Sequence, residues 1–247
     1  MRVVTGVILG FIISAGSVQA DMLGARIGVD YWQAQPKVSA GDPGKAGQLV
    51  LDDANELAWY GRFEHPLPLL PNIAVRYQRA AVSADAMLTS TVVLAQKTFA
   101  ASTITSQYNS LKYTDLTGYY EVFDNPVLRL DLGVTARLLQ SDVRLATPST
   151  AAARDLSVVL PMLFVDAEIG LWRTDTHWFL TGNYSRYQSD LNYDWRSGIA
   201  WRFIDIAMFQ AHLRAGWQHG QTNVSNRDQL DFVAANDGGF IGIDVDF

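Results

Sequence analysis

The stretch "VLRLDLGVTARL", residues 127–138, restricts the fold more than any other. Leu128, Leu130, Leu132, Val134, Ala136 and Leu138 take every second position, with Arg129, Asp131, Gly133, Thr135 and Arg137 between them. Successive side chains of an extended chain point to opposite faces, so this alternation predicts a strand with one apolar and one polar face. The same period recurs in Leu23–Tyr31, Glu56–Glu64, Ile73–Gln78, Asp115–Val122, Val159–Ile169, His177–Ser185, Gly198–Phe203, Phe209–Gln218 and Ile241–Phe247. Helical periodicity is scarce. The count predicts an all-β chain of about ten strands.

The connections alternate in length. "HPLPLLPN" (65–72), "DNP" (124–126), "RTDT" (173–176) and a corner near Asp205 are turn-sized and rich in turn residues. The other set, 33–53, roughly 83–105, 147–155 and roughly 221–236, reads as long loops, with a shorter connection near Asp190 as the exception. The segment 83–105 reads as a strand extension and loop outside a membrane. Short turns at one end and long loops at the other are expected of an up-and-down transmembrane barrel.

In a soluble sandwich the apolar faces point inward and the charged faces meet water. Two features argue for the opposite arrangement. The polar faces carry Arg26, Asp30, Glu56, Arg62, Glu64, Arg76, Asp115, Glu121, Arg129, Asp131, Arg137, Asp166, Glu168, Arg196, Arg202 and Arg214, with hardly any lysine. Arginine suits bidentate pairs shielded from solvent, whereas lysine suits a solvated surface. The apolar stripes end in Tyr31, Trp59, Tyr77, Tyr120, Trp178, Tyr184, Trp201 and Trp217, an arrangement like the interfacial girdles of membrane barrels. The expected fold is therefore a transmembrane antiparallel up-and-down β-barrel with periplasmic termini. Its leucines face lipid, and its charges form a network in the lumen. A secreted soluble β protein is the alternative.

The first twenty residues, "MRVVTGVILGFIISAGSVQA", carry one positive charge, an apolar run and a Val-Gln-Ala ending. They read as a signal peptide cleaved after Ala20, leaving residues 21–247 as the barrel. Arg2 is the only charge removed, so the net charge goes from −6 to −7. A mild acidic balance argues against a nucleic-acid partner, which needs a basic patch. The absence of cysteine excludes disulfides and thiolate zinc sites. Charged residues are 18 % of the chain, below the roughly 25 % of ordinary soluble domains.

The C-terminus, "GGFIGIDVDF", ends an alternating strand in Phe247. With Gly242, Ile243 and Val245 it resembles the sorting signal read by the barrel assembly machinery, although Val245 stands where an aromatic is commoner. The segments 63–77, 114–139, 160–172 and 237–247 are similar to a largely uncharacterised family of small outer-membrane β-barrels named for a Gly-Gly pair near the C-terminus. That resemblance implies a fold and an outer-membrane location, and no catalytic residues.

Candidates for chemistry are thin. His65 falls in a Pro-rich turn, His177 begins a strand beside a turn, and His212 points to the lumen. Only His219 is expected near the outer rim on the lipid side, with Ser225 in the following loop, so a lipid-modifying enzyme is the weakest reading. No histidine spacing suggests a metal, and "AGDPGKAG" (40–47) lacks the strand–loop–helix context of a phosphate loop. No cofactor is expected. The lumen charges either fill the bore as a nearly neutral Arg/carboxylate network or line a narrow solute channel. Barrels of about eight strands are filled by side chains, and open channels need about sixteen, so filling is favoured. The expected role is non-enzymatic, in the envelope or in binding through the loops. Membrane lipid is the expected partner, and the loop ligand is not defined.

Overall fold

The computed structural model describes residues 23–247 apart from 68, 172, 173 and 189. The expected signal peptide lies outside the described residues. The strands are β1 (Gly24–Ala34), β2 (Lys37–Gly41), β3 (Gly47–Leu49), β4 (Ala54–Glu64), β5 (Asn72–Met87), β6 (Val92–Leu94), β7 (Lys97–Phe99), β8 (Ile104–Asp124), β9 (Leu128–Ala146), β10 (Ala151–Gly170), β11 (Thr176–Tyr187), β12 (Asp190–Ile206), β13 (Phe209–Arg227) and β14 (Leu230–Asp246). Ten of them, β1, β4, β5 and β8 to β14, pair antiparallel with their sequential neighbours, and β14 closes on β1 from Arg26↔Asp246 to Trp32↔Phe240. Among the described residues, this closure leaves no sheet edge open around the belt, the condition a spanning sheet has to meet.

Outside the wall, the alternating apolar residues form an exposed belt, including Ile27, Leu57, Val75, Leu116, Leu132, Val134, Leu163, Ile199 and Ile243. Inside lie the arginines and carboxylates. The chain is therefore a transmembrane barrel, with charge in its bore and leucine on its surface.

Two of the connections expected as long loops are strand. β9 runs to Ala146 and β10 restarts at Ala151 after a turn closed by the Thr147 amide on the Thr150 carbonyl, 2.7 Å. β13 and β14 extend to Arg227 and Leu230, joined through Asp228 and Gln229, both at positive φ as a two-residue hairpin requires. The cause is a reversal of polarity along the strands. On β9 the outward residues change from the apolar Leu132, Val134, Ala136 and Leu138 to Gln140, Asp142 and Arg144. The inward ones change from Arg129, Asp131 and Arg137 to Leu139, Val143 and Leu145, which are fully buried. At about 3.3 Å per residue, nineteen residues far exceed the roughly 9–11 needed to cross a bilayer. The far half of the barrel stands clear of the membrane and has the polarity of a soluble protein.

The remaining loops fill that far half. The β2–β3 hairpin adds to the edge of β14 and supplies Val38, Ala40 and Leu49. The separate β6–β7 hairpin supplies Val92, Leu94 and Phe99. These pack with Leu88 against Leu111, Leu139, Leu145, Leu156 and Phe232 of the wall as one apolar cluster. The segment 83–105 thus divides into strand extensions and an inserted hairpin.

Candidate functional site

Below the apolar plug, the bore is crossed by ion pairs between strands far apart in the sequence. Arg26 on β1 donates to Glu168 on β10 at 2.5 Å and also holds Asp246 on β14. Arg62 on β4 reaches Asp166 at 2.7 Å and pairs with Asp131, while Arg129 lies 3.5 Å from Asp131 and 3.7 Å from Glu168. One layer nearer the plug, Arg137 grips Asp115 with two 2.7 Å bonds and contacts Asp194 across the bore at 2.6 Å. Arg196 donates to Asp30 at 2.9 Å, and Arg76 lies 3.6 Å from the same carboxylate. Arg214 bonds the Tyr60 hydroxyl, which donates to Asp244 at 2.8 Å. A chain of Thr117, Thr135 and Asn183, joined at 2.7 and 2.8 Å, leads to Asp194 at 3.3 Å. Arg26, Arg62, Arg137 and Arg196 hydrogen-bond carboxylates in a space from which most water is excluded, the condition under which a buried pair is tolerated, whereas Arg129 and one nitrogen of Arg76 make only longer charge contacts.

Three residues of the sequence-derived set lie apart from these layers. Glu56 faces the interior but caps the Ala81 amide at 2.9 Å, where β4 stops pairing with β5. Arg202 sits at the mouth beside a β-bulge and bonds the turn residue Asp175 at 2.7 Å. Glu121 accepts from Asn72 at 3.2 Å near the same mouth. Glu64, by contrast, accepts from Tyr119 at 3.0 Å, close to Arg62 and Arg129. The bore also holds Asp194, Asp244 and Asp246, which the sequence-derived set lacks, so it carries an acidic excess and is not nearly neutral. The last two stood in plain alternation on the final strand. Asp194 lies in 190–197, outside the stretches from which strands are predicted, although Leu191, Tyr193 and Trp195 alternate there with Asn192, Asp194 and Arg196.

Space in the bore is limited. A cavity among Arg62, Arg76, Arg196, Arg214 and Asp166 holds about 60 Å³, room for a few waters at ~15 Å³ each. A basin of about 310 Å³ opens at the mouth between Arg129, His177, Arg202 and His212. There, donor atoms of His212, Asp244 and Asp246 lie within 4.8 Å of one another. Arg26 already holds Asp246, and Tyr60 and Arg214 hold Asp244, so this trio is occupied by its own chain.

The outward histidine has partners that sequence reading did not give it. His219 on β13 lies 3.3 Å from Asp237 on β14 and 3.3 Å from the Tyr193 hydroxyl on β12. Trp217 donates to Asp237 at 2.7 Å. Ser225 lies six residues farther along the same strand, about 20 Å away at ~3.3 Å per residue, and cannot meet His219. His65 is bound within its turn, 3.1 Å from the Pro71 carbonyl.

Tyr31, Trp59, Tyr77, Tyr120, Trp178, Tyr184, Trp201 and Trp217 all lie on the outward face, with Trp59 and Tyr77 paired at a ring distance of 5.6 Å. Trp195 joins them. At the C-terminus, Ile243 and Val245 face outward opposite Val29 and Ile27, and the Phe247 amide donates to Ala25 at 2.8 Å. Gly242 faces inward where a Cβ would collide with the Asp30 carboxylate. At Gly238 a Cβ would collide with the Gln33 carbonyl. Both glycines therefore have a packing reason.

No family model and no curated protein sequence matches the chain. Solved structures do match. The outer membrane protease OmpT from Escherichia coli aligns with a TM-score of 0.51 at 10 % identity, covering 93 % of this chain and 98 % of that one. The fold is that of an outer-membrane β-barrel. Ail, the attachment invasion locus protein of Yersinia pestis, aligns at 0.37 and 8 % identity over 89 % of this chain and 98 % of its own. Neisserial surface protein A aligns at 0.33 and 11 % over 91 % and 97 %. At these identities the likeness concerns the fold alone.

Proposed function

We propose that this chain is a non-enzymatic outer-membrane protein with a closed bore, whose role is structural in the envelope or lies in binding through its far end. The observation that carries this reading is the pair of barriers in series: an apolar plug of two hairpins above layers of ion pairs. In this reading the signal peptide exports the chain and the barrel assembly machinery reads the strand ending in Phe247. The termini and short turns then face the periplasm, and the plugged half faces outward. The aromatic residues anchor the belt at the two interfaces. The same reading keeps the chain within the Gly-Gly family of small barrels that its sequence resembles.

Planar-bilayer recording tests it. The purified protein is expected to give no conductance steps in molar salt, and regular steps would replace this reading with the channel one. The basin at the mouth and the central cavity favour a narrow solute channel as the second reading, since they lie in line along the bore. A lipid-modifying enzyme draws only on the outward His219, which has Asp237 and Tyr193 beside it and Ser225 out of reach. Outer-membrane fractionation with heat-modifiable gel mobility tests the location.

A further inference from the structure

Among the described residues, the barrel wall is incomplete above the belt between β10 and β11. β9 covers one edge of β10 along its length, but β11 covers the other only over Leu163–Gly170. Beyond that, Ser185, Arg186 and Tyr187 pair with β12 alone, and β12 pairs with β13 only as far as Gln221. Higher still, the β13–β14 turn leans back to β10, where Asp228 accepts from the Ser157 amide at 3.1 Å and Gln229 from Arg154 at 3.1 Å. Between them a window is left, bordered on one side by residues 158–162 of β10. Five residues of strand span about 17 Å.

β10 is apolar on both faces at this window. Val159 and Leu163 are exposed outside. Inside, Val158 and Leu160 pack against the plug but stay only half-buried. Leu139, the register partner of Val158 on β9, is 0 % exposed, so the accessibility belongs to the side that lacks a neighbour. Pro161 has no amide hydrogen, a residue tolerated where a strand edge has no partner to serve. Below the window, beginning at Leu163, an apolar groove of about 580 Å³ lies on the outer wall between Leu132, Leu163, Tyr184, Leu191 and Trp195, with Arg186 also on its lining. That volume lies in the usual range of small-ligand pockets, ~300–1,000 Å³.

We propose that the window and groove bind one phospholipid of the adjoining leaflet. One acyl chain lies against Val158 and Leu160 and continues down the groove. The phosphate sits beside Arg186. The lipid follows from three features together. The groove is continuous with the apolar belt. Arg186 is a cation suited to a phosphate. Only the Val159 amide faces the open edge within the window, since Asp228 takes the Ser157 amide and Pro161 has none, and a phosphate or ester oxygen provides the acceptor that such an amide needs at the membrane. The site is independent of whether the bore conducts.

The test is photolabelling of the full-length protein in vesicles of phosphatidylethanolamine and phosphatidylglycerol. A fraction of the phosphatidylglycerol carries a diazirine in one acyl chain, and adducts are mapped by peptide mass. Adducts are expected on the inward-facing Val158 and Leu160 as well as on outward residues such as Ile241, and none on Leu139. Leu160→Trp is expected to abolish the inward adducts and leave Ile241 labelled. Arg186→Ala should lower them about tenfold, as for the loss of one charge-assisted contact. Labelling confined to outward faces, with Val158 and Leu160 no higher than Leu139, overturns the proposal. If Leu160→Trp does not fold, that comparison within the unaltered protein decides the matter alone.

Discussion

Leu138 and Leu139 are consecutive residues of β9 that face different media: Leu138 closes the outward apolar stripe, and Leu139 is fully buried in the plug. The polarity of the wall reverses between them. Leu139→Ala should therefore cost about 2–5 kcal/mol, as for a buried leucine that leaves a cavity. Leu138→Ala should cost clearly less, because its site adjoins deformable lipid. Urea unfolding of both variants in lipid vesicles checks the order, and equal losses would contradict the reversal.

The reversal also sets where a charge is tolerated. Leu132→Arg places a cation on the outward belt and should cost about 2–4 kcal/mol in vesicle-folding equilibria if the site lies near the bilayer midplane. Gln140→Arg, eight residues along the same outward face, should stay within about 0.5 kcal/mol, as for an ordinary surface change. A comparable penalty at both sites would move the membrane boundary beyond Gln140.

The Arg137 bridge is a matter of coupling. Arg137→Met strands Asp115 and Asp194 in the bore and should cost about 3–5 kcal/mol, while the added change Asp115→Leu should recover part of that loss. The coupling in the double-mutant cycle should fall at about 0.5–3 kcal/mol. Purely additive costs would mean that the two side chains do not act together.

Two barriers in series predict a specific pattern of conductance. Replacing residues 90–101, which contain the β6–β7 hairpin, by a short Gly-Ser linker should still give no steps in a planar bilayer, because the ion pairs remain. Adding Arg137→Ala and Arg196→Ala to that variant should produce them. Steps from the hairpin deletion alone would assign the whole barrier to the plug.

The Gly-Gly pair separates packing from chance. Gly238→Ala puts a methyl group against the Gln33 carbonyl and should destabilise the barrel by about 1–3 kcal/mol. Gly239→Ala meets the Trp217 ring at an ordinary 3.6 Å and should be tolerated. Heat-modifiable mobility followed against temperature distinguishes the two.

The period of two in residues such as Leu128–Leu138 is a local property, because an extended chain turns each side chain to the opposite face wherever it sits. The sequence by itself therefore determined the ten crossings, the outward leucines and aromatics, and the inward Arg129, Asp131 and Arg137. It could not decide the far half. There Leu139, Val143 and Leu145 share the inward face of Arg137, and they are buried because distant hairpins carrying Val38, Val92 and Phe99 come to lie opposite them. Read locally, residues 139–146 fall between the strand that ends at Leu138 and the loop expected at 147–155. The pairing of Arg137 with Asp194, and of Arg26 with Glu168, likewise waited for the bore to close, since its circumference brings together strands many turns of chain apart. The missing neighbour of β10 beyond Leu163 is a relation between the lengths of β10 and β11, and only their registered assembly in the wall created it.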